Sequence, residues 1–452
     1  MRITFLGATN TVTGSKFLIS IGTKKILIDC GLFQGLKELR LRNWTKFPID
    51  PKTIDAVVLT HAHIDHSGYL PLLVKNGFKG KVFCSHATRD LCAILLPDSG
   101  YLQEEEAKFL NKHGYSKHKP ALPLYTREDA ENALPHLYPL QFRKMHKLDE
   151  ETYISLIPAG HILGATFVQF KHYETTVLFS GDLGRPDDII MHSPATIQSA
   201  DYLVLESTYG NRLHNKVNPL DELSEIINRT VARLGTVVIP AFAVGRAQHL
   251  LYLMYLLKTS GRIPDVPIYV DSPMAKNATQ LFVKYSELHK LDEKLSQEVC
   301  KVATYINSKE ESQLLDAETV PKVIISASGM LEGGRVLHHV KTFAPDPLNT
   351  IIFTGYQAAG TRGADMINGK PHIKVFGQAI PIRAEVKILS NMSAHADYEE
   401  ILQWLSHFNH KPRKVFITHG EAEAAQALKE KIEDRYGWPC HAPDYLYSEQ
   451  LV

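Results

Sequence analysis

Six consecutive residues limit the folds open to this chain more than anything else in it: HAHIDH at 61–66, directly after the apolar run AVVLT. In an extended loop alternate side chains share a face, so His61 and His63 can reach one metal ion. A turn at Ile64 aims Asp65 and His66 at a second position nearby. Imidazole nitrogen with carboxylate oxygen is the donor set of catalytic zinc, whereas calcium and magnesium take oxygen ligands. The competing reading is four polar residues on a solvated loop, but chance clustering of this kind behind a strand is uncommon.

Two metal ions need further ligands, and strand ends supply them. His161 follows ISLIPAG, Asp182 follows VLFSG, and His419 follows KVFIT. Each stands where an apolar strand runs into a glycine-containing turn. Taken singly, any of them reads as a solvated loop residue; the context shared with HAHIDH reverses that balance.

The surrounding pattern is mixed α/β. Residues 2–6, 15–20, 24–29, 56–60, 153–157, 167–171, 175–180 and 202–206 read as strands, rich in β-branched and aromatic residues and bounded by Gly, Asp and Asn. A short helix is expected over 67–76, ended by Gly77. The charged stretch 97–147 reads as a helical insertion on the surface. From about 208 the rhythm becomes βα: TVVIPAF, PIYVD, KVIISAS and TIIFTG suit buried parallel strands, and helical runs follow at 245–258, 274–285 and 331–343. Such a domain is doubly wound and binds ligands at the carboxyl ends of its strands. The last part, 372–452, reads as a strand-rich run, then helix, strand (414–418) and helix.

Composition narrows the class. The chain has 452 residues, 44% hydrophobic and 22% charged, enough for two cores. No apolar run approaches the roughly 20 residues of a membrane span, and the N-terminus reads as a strand rather than a signal peptide. Five scattered cysteines without CxxC spacing argue for a reducing, cytoplasmic setting and against a disulfide framework. Cys30, beside Asp29, reads as a buried apolar neighbour. A net charge of +1 leaves a nucleic-acid enzyme dependent on a locally positive cleft.

In order and context, Asp29, HAHIDH, His161 and Asp182 resemble the first four motifs of the metallo-β-lactamase fold. The rest of the chain resembles its nucleic-acid-processing branch, the β-CASP family, whose further motifs match Glu206 in LEST, His395 in SAHAD and His419 in THGE. The likeness spans essentially the whole chain. It implies an α/β metallo-β-lactamase αββα sandwich with an inserted doubly wound α/β β-CASP domain. Residues 1–207 and 372–452 would form the first domain and 208–371 the second. N-terminal RNA-binding domains and C-terminal extensions of some relatives are expected to be absent.

The resemblance also implies roles. One zinc ion would take His61, His63 and His161, and the other Asp65, His66 and His419. Asp182 would bridge both with a hydroxide, giving two Zn²⁺ per chain. Asp29 would fix a ligand imidazole or the adjacent loop, and Glu206 would orient a histidine of the site. His395 would stabilise charge on the scissile phosphate or act as general acid; without the family match, a residue at a helix start with no chemistry reads equally well. Against the two ions, Asp65, Asp182 and hydroxide leave a single positive charge, suited to a phosphodiester anion. Metals about 3.5–4 Å apart can stabilise the attacking and phosphate oxygens together.

In the second domain Ser328, Gly329 and Met330 lie where a strand turns into a helix, and backbone N–H groups there can hold an anion. Arg246 and Arg362, at equivalent strand ends, are candidate phosphate clamps, each with a surface salt bridge as its plainer reading. The expected function is zinc-dependent hydrolysis of single-stranded RNA by a ribonuclease, endonucleolytic in action, from a chain that forms a homodimer and touches no membrane. Three alternatives stand beside it: a DNA-processing nuclease of the same fold, a small-molecule ester or thioester metallo-hydrolase, and a non-enzymatic RNA-binding scaffold.

Overall fold

The computed structural model describes every residue from Met1 to Val452, the side chain of Ser390 excepted. It divides into two compact units, Met1–Leu213 with His395–Val452, and His214–Ala394.

The first unit holds two seven-stranded sheets. One runs in the order Ser448–Gln450, Arg2–Phe5, Phe17–Ile21, Lys24–Ile28, Ala56–Val58, Lys81–Ser85, Leu137–Leu140. The other runs Cys440–His441, Lys414–Thr418, Tyr202–Glu206, Thr175–Phe179, Thr166–His172, Thr152–Pro158, His146–Lys147. Ile3, Phe5, Ile19, Ile28 and Val58 from the first sheet share one fully buried core with Ile154, Val168, Phe170, Val177 and Phe416 from the second. Rings meet across it, Phe5 with Phe416 at 5.1 Å and Phe17 with Phe179 at 5.9 Å. The sheets therefore pack face to face. Helix His86–His113 covers Lys81–Ser85 and Leu137–Leu140, and helix Ala422–Tyr436 covers Lys414–Thr418, which gives four layers.

The stretch 97–147 departs from expectation. Its helix begins already at His86, capped by Ser85, and continues through Pro97 to His113. It also supplies Leu137–Leu140 and His146–Lys147, the outer strands of the two sheets. The run LYPL contains a proline, which a sheet accepts at its edge and not at its centre, so its strand character is hard to see without the neighbour it pairs with.

The second unit is built on a six-stranded parallel sheet in the order Thr304–Tyr305, Ile268–Asp271, Val323–Ser326, Val237–Pro240, Thr350–Phe353, Glu385–Ile388. Val323–Ser326, Val237–Pro240 and Thr350–Phe353 are buried along their whole length, as the unbroken apolar runs imply. The helix expected from 331 starts only at Val336, because Leu331 (φ 59°) and Gly334 (φ 81°) adopt left-handed backbone that a helix cannot include. Residues 372–394 stay with this unit: Glu385–Ile388 pairs with Thr350–Phe353, and Ile373, Val375 and Ile380 join its core. At the other junction a bridge between Tyr209 and Asp397 holds residues 208–213 in the first unit. The units thus meet at 213/214 and 394/395, against 207/208 and 371/372 from the sequence. Among the described residues no helix is long and apolar enough to cross a membrane.

Candidate metal centre

The first unit gathers its strand ends around one point. HAHIDH leaves Ala56–Val58, His161 follows Thr152–Pro158, Asp182 follows Thr175–Phe179, and His419 follows Lys414–Thr418. Strand Lys414–Thr418 lies parallel to Tyr202–Glu206 with Thr418 opposite Glu206, so His419 emerges beside that carboxylate. Two close approaches make the arrangement possible. A Cβ on Gly31 would stand 1.6 Å from the Asp65 carbonyl oxygen, and one on Gly420 would stand 2.2 Å from Ser207 Oγ.

The donor atoms form two groups that share Asp182. In one, His63 Nδ1 lies 3.1 Å from His61 Nε2 and 3.4 Å from His161 Nε2. Asp182 Oδ2 stands 3.3 Å from both of those Nε2 atoms. In the other, His66 Nε2 lies 3.2 Å from His419 Nε2 and 3.2 Å from Asp182 Oδ1, and Asp65 Oδ2 lies 3.4 Å from His419 Nε2 and 3.9 Å from His66 Nε2. Tetrahedral zinc with ligands at about 2.0–2.1 Å sets them about 3.3–3.4 Å apart. The spacings of the first group and most of those of the second lie near that figure, the 3.9 Å between Asp65 and His66 being the longest, so the residues present fit the metal the motif calls for.

Carboxylates fix the rings from behind, and two threonines with no counterpart among the sequence-predicted residues carry part of this. Asp29, in left-handed backbone (φ 58°), accepts from Thr60 N–H at 2.7 Å and from Thr60 Oγ1 at 2.9 Å. Its Oδ2 lies 2.8 Å from His66 Nδ1. Thr60 Oγ1 in turn lies 3.0 Å from His61 Nδ1. Glu206 repeats the scheme: its Oε2 accepts from Thr208 Oγ1 at 2.6 Å, and that oxygen lies 3.1 Å from His419 Nδ1. With the Nδ1–H of His61, His66 and His419 donated backward, the Nε2 of these three rings presents its lone pair to the centre, whereas His63 turns its Nδ1 inward. The only signal for these threonines is position: Thr60 directly precedes HAHIDH, and Thr208 follows Glu206 by two residues.

Burial, the largest influence, pushes the His61 imidazole down to about 3 and that of His63 to about 4, and it also depresses His161. These rings are neutral at physiological pH, as ligands must be. His66 goes the other way: burial opposes its charge, but Asp182, Asp29 and Asp65 hold it well above its usual value. The same carboxylates would favour a metal ion there.

His395 stands beside the cluster rather than in it. Ala396 N–H donates to Leu183 O at 2.9 Å, and a bridge joins His395 to Gly184. Its Nδ1 faces Glu206, 3.1 Å from Oε1 and 3.2 Å from Oε2, and is 3.9 Å from Asp182 Oδ2. Burial lowers its basicity, but Glu206 and Asp182 outweigh burial and raise it to about 9. Its ring centre lies 4.6 Å from that of His161, the two planes tilted by 48°.

Ser328, Gly329, Met330, Arg246 and Arg362 belong to the second unit. Ser328 Oγ accepts from Glu332 N–H at 3.0 Å, and Gly363 N–H donates to Met330 O at 3.1 Å, which brings the two glycine-rich turns together. A Cβ on Gly329 would meet the Phe242 ring at 2.9 Å. The guanidinium of Arg362 donates to Lys374 O at 2.7 Å and to Leu331 O at 2.9 Å. Arg246 is buried at the first residue of helix Arg246–Thr259.

Three family models match the chain: the metallo-β-lactamase superfamily over residues 11–96, the β-CASP domain over 247–366, and a Zn-dependent metallo-hydrolase RNA specificity domain over 379–443. Among similar proteins, Ribonuclease TTHA0252 of Thermus thermophilus is 38% identical over 437 residues, covering 95% of each chain. Transcription termination factor FttA of Methanosarcina mazei is 32% identical over 96% of this chain and 70% of its own. An RNase J-like protein of Methanocaldococcus jannaschii is 32% identical over 89% of each chain. A crystal structure of a protein of unknown function from Enterococcus faecalis V583 shares the fold, with a TM-score of 0.53 at 14% identity over 100% of this chain and 99% of that one. The chain belongs to the β-CASP family of the metallo-β-lactamase superfamily. Its fold and donor cluster are those of a metal-using hydrolase.

Proposed function

We propose that the chain is an endoribonuclease that hydrolyses RNA phosphodiester bonds with two zinc ions held at this centre. The observation that carries the proposal is the meeting of six donor residues in two groups on the two oxygens of Asp182, at tetrahedral spacing, beside the His395–Glu206 pair. His61, His63 and His161 would hold one ion, Asp65, His66 and His419 the other, with Asp182 shared. When bound, such a pair supplies hydroxide at neutral pH and positive charge for the phosphate oxygens.

The chain's own residues do the rest. Thr60 and Thr208 keep two ligand rings turned inward. Glu206 holds His395 by Nδ1 and keeps it protonated, so the far side of the ring can give a proton to the leaving 3′-oxygen. Ser328, Gly329, Met330 and Arg246 are proposed as phosphate contacts of the second unit. Arg362, tied to two main-chain carbonyls, would brace the turn that Ser328 begins. RNA as substrate is supported by the RNA specificity model and by the ribonuclease among the relatives. The reading extends to a homodimer in the cytoplasm.

The test is cleavage of one RNA and its matching DNA, each labelled at the 5′ end, by purified protein of measured metal content. Internal RNA fragments, intact DNA and about two zinc ions per chain are the expected result. Equal attack on DNA would make it a general nuclease. No cleavage despite full zinc would overturn the proposal.

A further inference from the structure

Residues 36–46, LKELRLRNWTK, carry Lys37, Arg40, Arg42 and Lys46 against one carboxylate, Glu38. Among the described residues none of these four cations forms an ion pair. The apolar side chains of the same stretch are also uncovered, with Leu41 53% and Trp44 57% exposed. An exposed tryptophan is uncommon, and the other two in the chain, Trp404 and Trp438, are buried. Arg42 lies over the Tyr445 ring at 4.4 Å, whereas the Trp44 indole, among the described residues, meets no other ring and makes no side-chain hydrogen bond.

The support beneath this stretch is firm. Asn43, buried, donates from Nδ2 to Phe33 O at 2.8 Å and accepts from Phe33 N–H on Oδ1 at 3.0 Å. Next to Phe33, Leu32 N–H donates to Ile64 O at 2.9 Å, inside HAHIDH. Trp44 is thus displayed on a backbone bonded step by step to the metal-ligand loop.

We infer that Trp44 and its flanking cations form a contact for single-stranded RNA on the metal-bearing unit. The indole stacks on a base, and Lys37, Arg40 and Lys46 neutralise phosphates. An exposed aromatic set among cations is how single strands are gripped without regard to sequence, since every base has a π-face. A protein-interface core would exclude charge, and here the charges interleave with the apolar side chains. With a net charge of only +1, long-range attraction to RNA must come from local excesses such as this one. The inference rests on the ribonuclease reading above.

Because Trp404 and Trp438 are buried, externally quenchable tryptophan emission reports Trp44. Stopped-flow mixing of the metal-loaded full chain with a single-stranded RNA of about 20 nucleotides should quench it before cleavage. W44A should weaken RNA binding about ten-fold and W44F about two-fold, since phenylalanine still stacks. K37E/R40E should reduce the slope of log affinity against log salt by about 1.4, because two phosphates are no longer neutralised. Circular dichroism and metal content equal to wild type would show that the variants fold. RNA bound and cut with Trp44 emission untouched, and W44A binding unchanged, would overturn this inference alone. Quenching by phosphatidylserine vesicles but not by RNA would replace it with a membrane contact. Wild-type protein that neither binds nor cuts RNA would overturn the ribonuclease reading and this with it.

Discussion

Asp182 stands 3.2–3.3 Å from three imidazole nitrogens, on His66, His61 and His161. Asp182→Ala should therefore lose both metals and all cleavage; a variant that kept two ions, measured by mass spectrometry of the metal, would exclude a bridging role. His395 packs beside His161 and Asp182 but belongs to neither donor group, so His395→Ala should keep its metal and slow cleavage by about 10²–10⁴-fold, the range of a lost general acid. Unchanged single-turnover cleavage would sink that role. Thr208 offers a finer test. Thr208→Val keeps the shape but cuts the link from Glu206 to His419, and should weaken metal affinity about 10–100-fold. Thr208→Ser should restore it in a competition titration with a chelator. The clustered donor residues themselves were all legible in the sequence, because their side-chain types and strand-end positions are written there. The threonines were not, since a hydroxyl's role depends on which carboxylate and which ring fold onto either side of it.

At the scale of elements, helix His86–His113 is tied to the site through its cap. Ser85 Oγ accepts from Thr88 N–H at 3.1 Å and donates to Gly164 O at 2.7 Å, in the turn that follows His161. Ser85→Ala removes both bonds from a fully buried position. It should cost about 1 kcal/mol of stability, the usual worth of a cap, read as a shift of the urea midpoint. A midpoint equal to wild type would show that the cap is dispensable. The strands that alternate or run unbroken in apolar residues were readable because their own residues carry the pattern. Leu137–Leu140 was not: Pro139 disguises it, and only pairing with Lys81–Ser85 makes it a strand.

At the scale of the whole molecule each unit has its own core, and the second has its own buried charge network. Asp271 accepts from Arg335 Nη1 at 2.6 Å and from Ser312 Oγ at 2.5 Å, and its Oδ2 lies 2.7 Å from His339 Nε2. His339 Nδ1 lies 2.6 Å from Asp316 Oδ1. Both ring nitrogens face carboxylates, so both must donate and the ring is an imidazolium. Burial opposes that charge, yet the bonds to Asp271 and Asp316 raise its basicity, and burial likewise fails to prevent a lowered Asp271. A histidine raised on folding stabilises fully below its ordinary value near 6.5, and loses that contribution as pH rises through its folded value. The lowered Asp271 stabilises above its ordinary 3.8 and loses that contribution as pH falls through its folded value. The unfolding temperature of the second unit should be highest between these limits and fall on the alkaline side. His339→Gln should flatten the alkaline limb in calorimetry; an unaltered pH profile would refute the assignment.

By itself the sequence determined the donor residues, the strands of the first unit and the βα repeat, because donor type, strand periodicity and turn residues are local properties of the chain, while the sandwich was legible only through the family resemblance. The tertiary structure alone decided which strand closes each sheet edge and where one unit hands over to the other. It also decided that Glu206, His395 and His419 meet although a whole second unit lies between Glu206 and His395 in the sequence. These depend on contacts between residues far apart along the chain, and no local pattern records such partners.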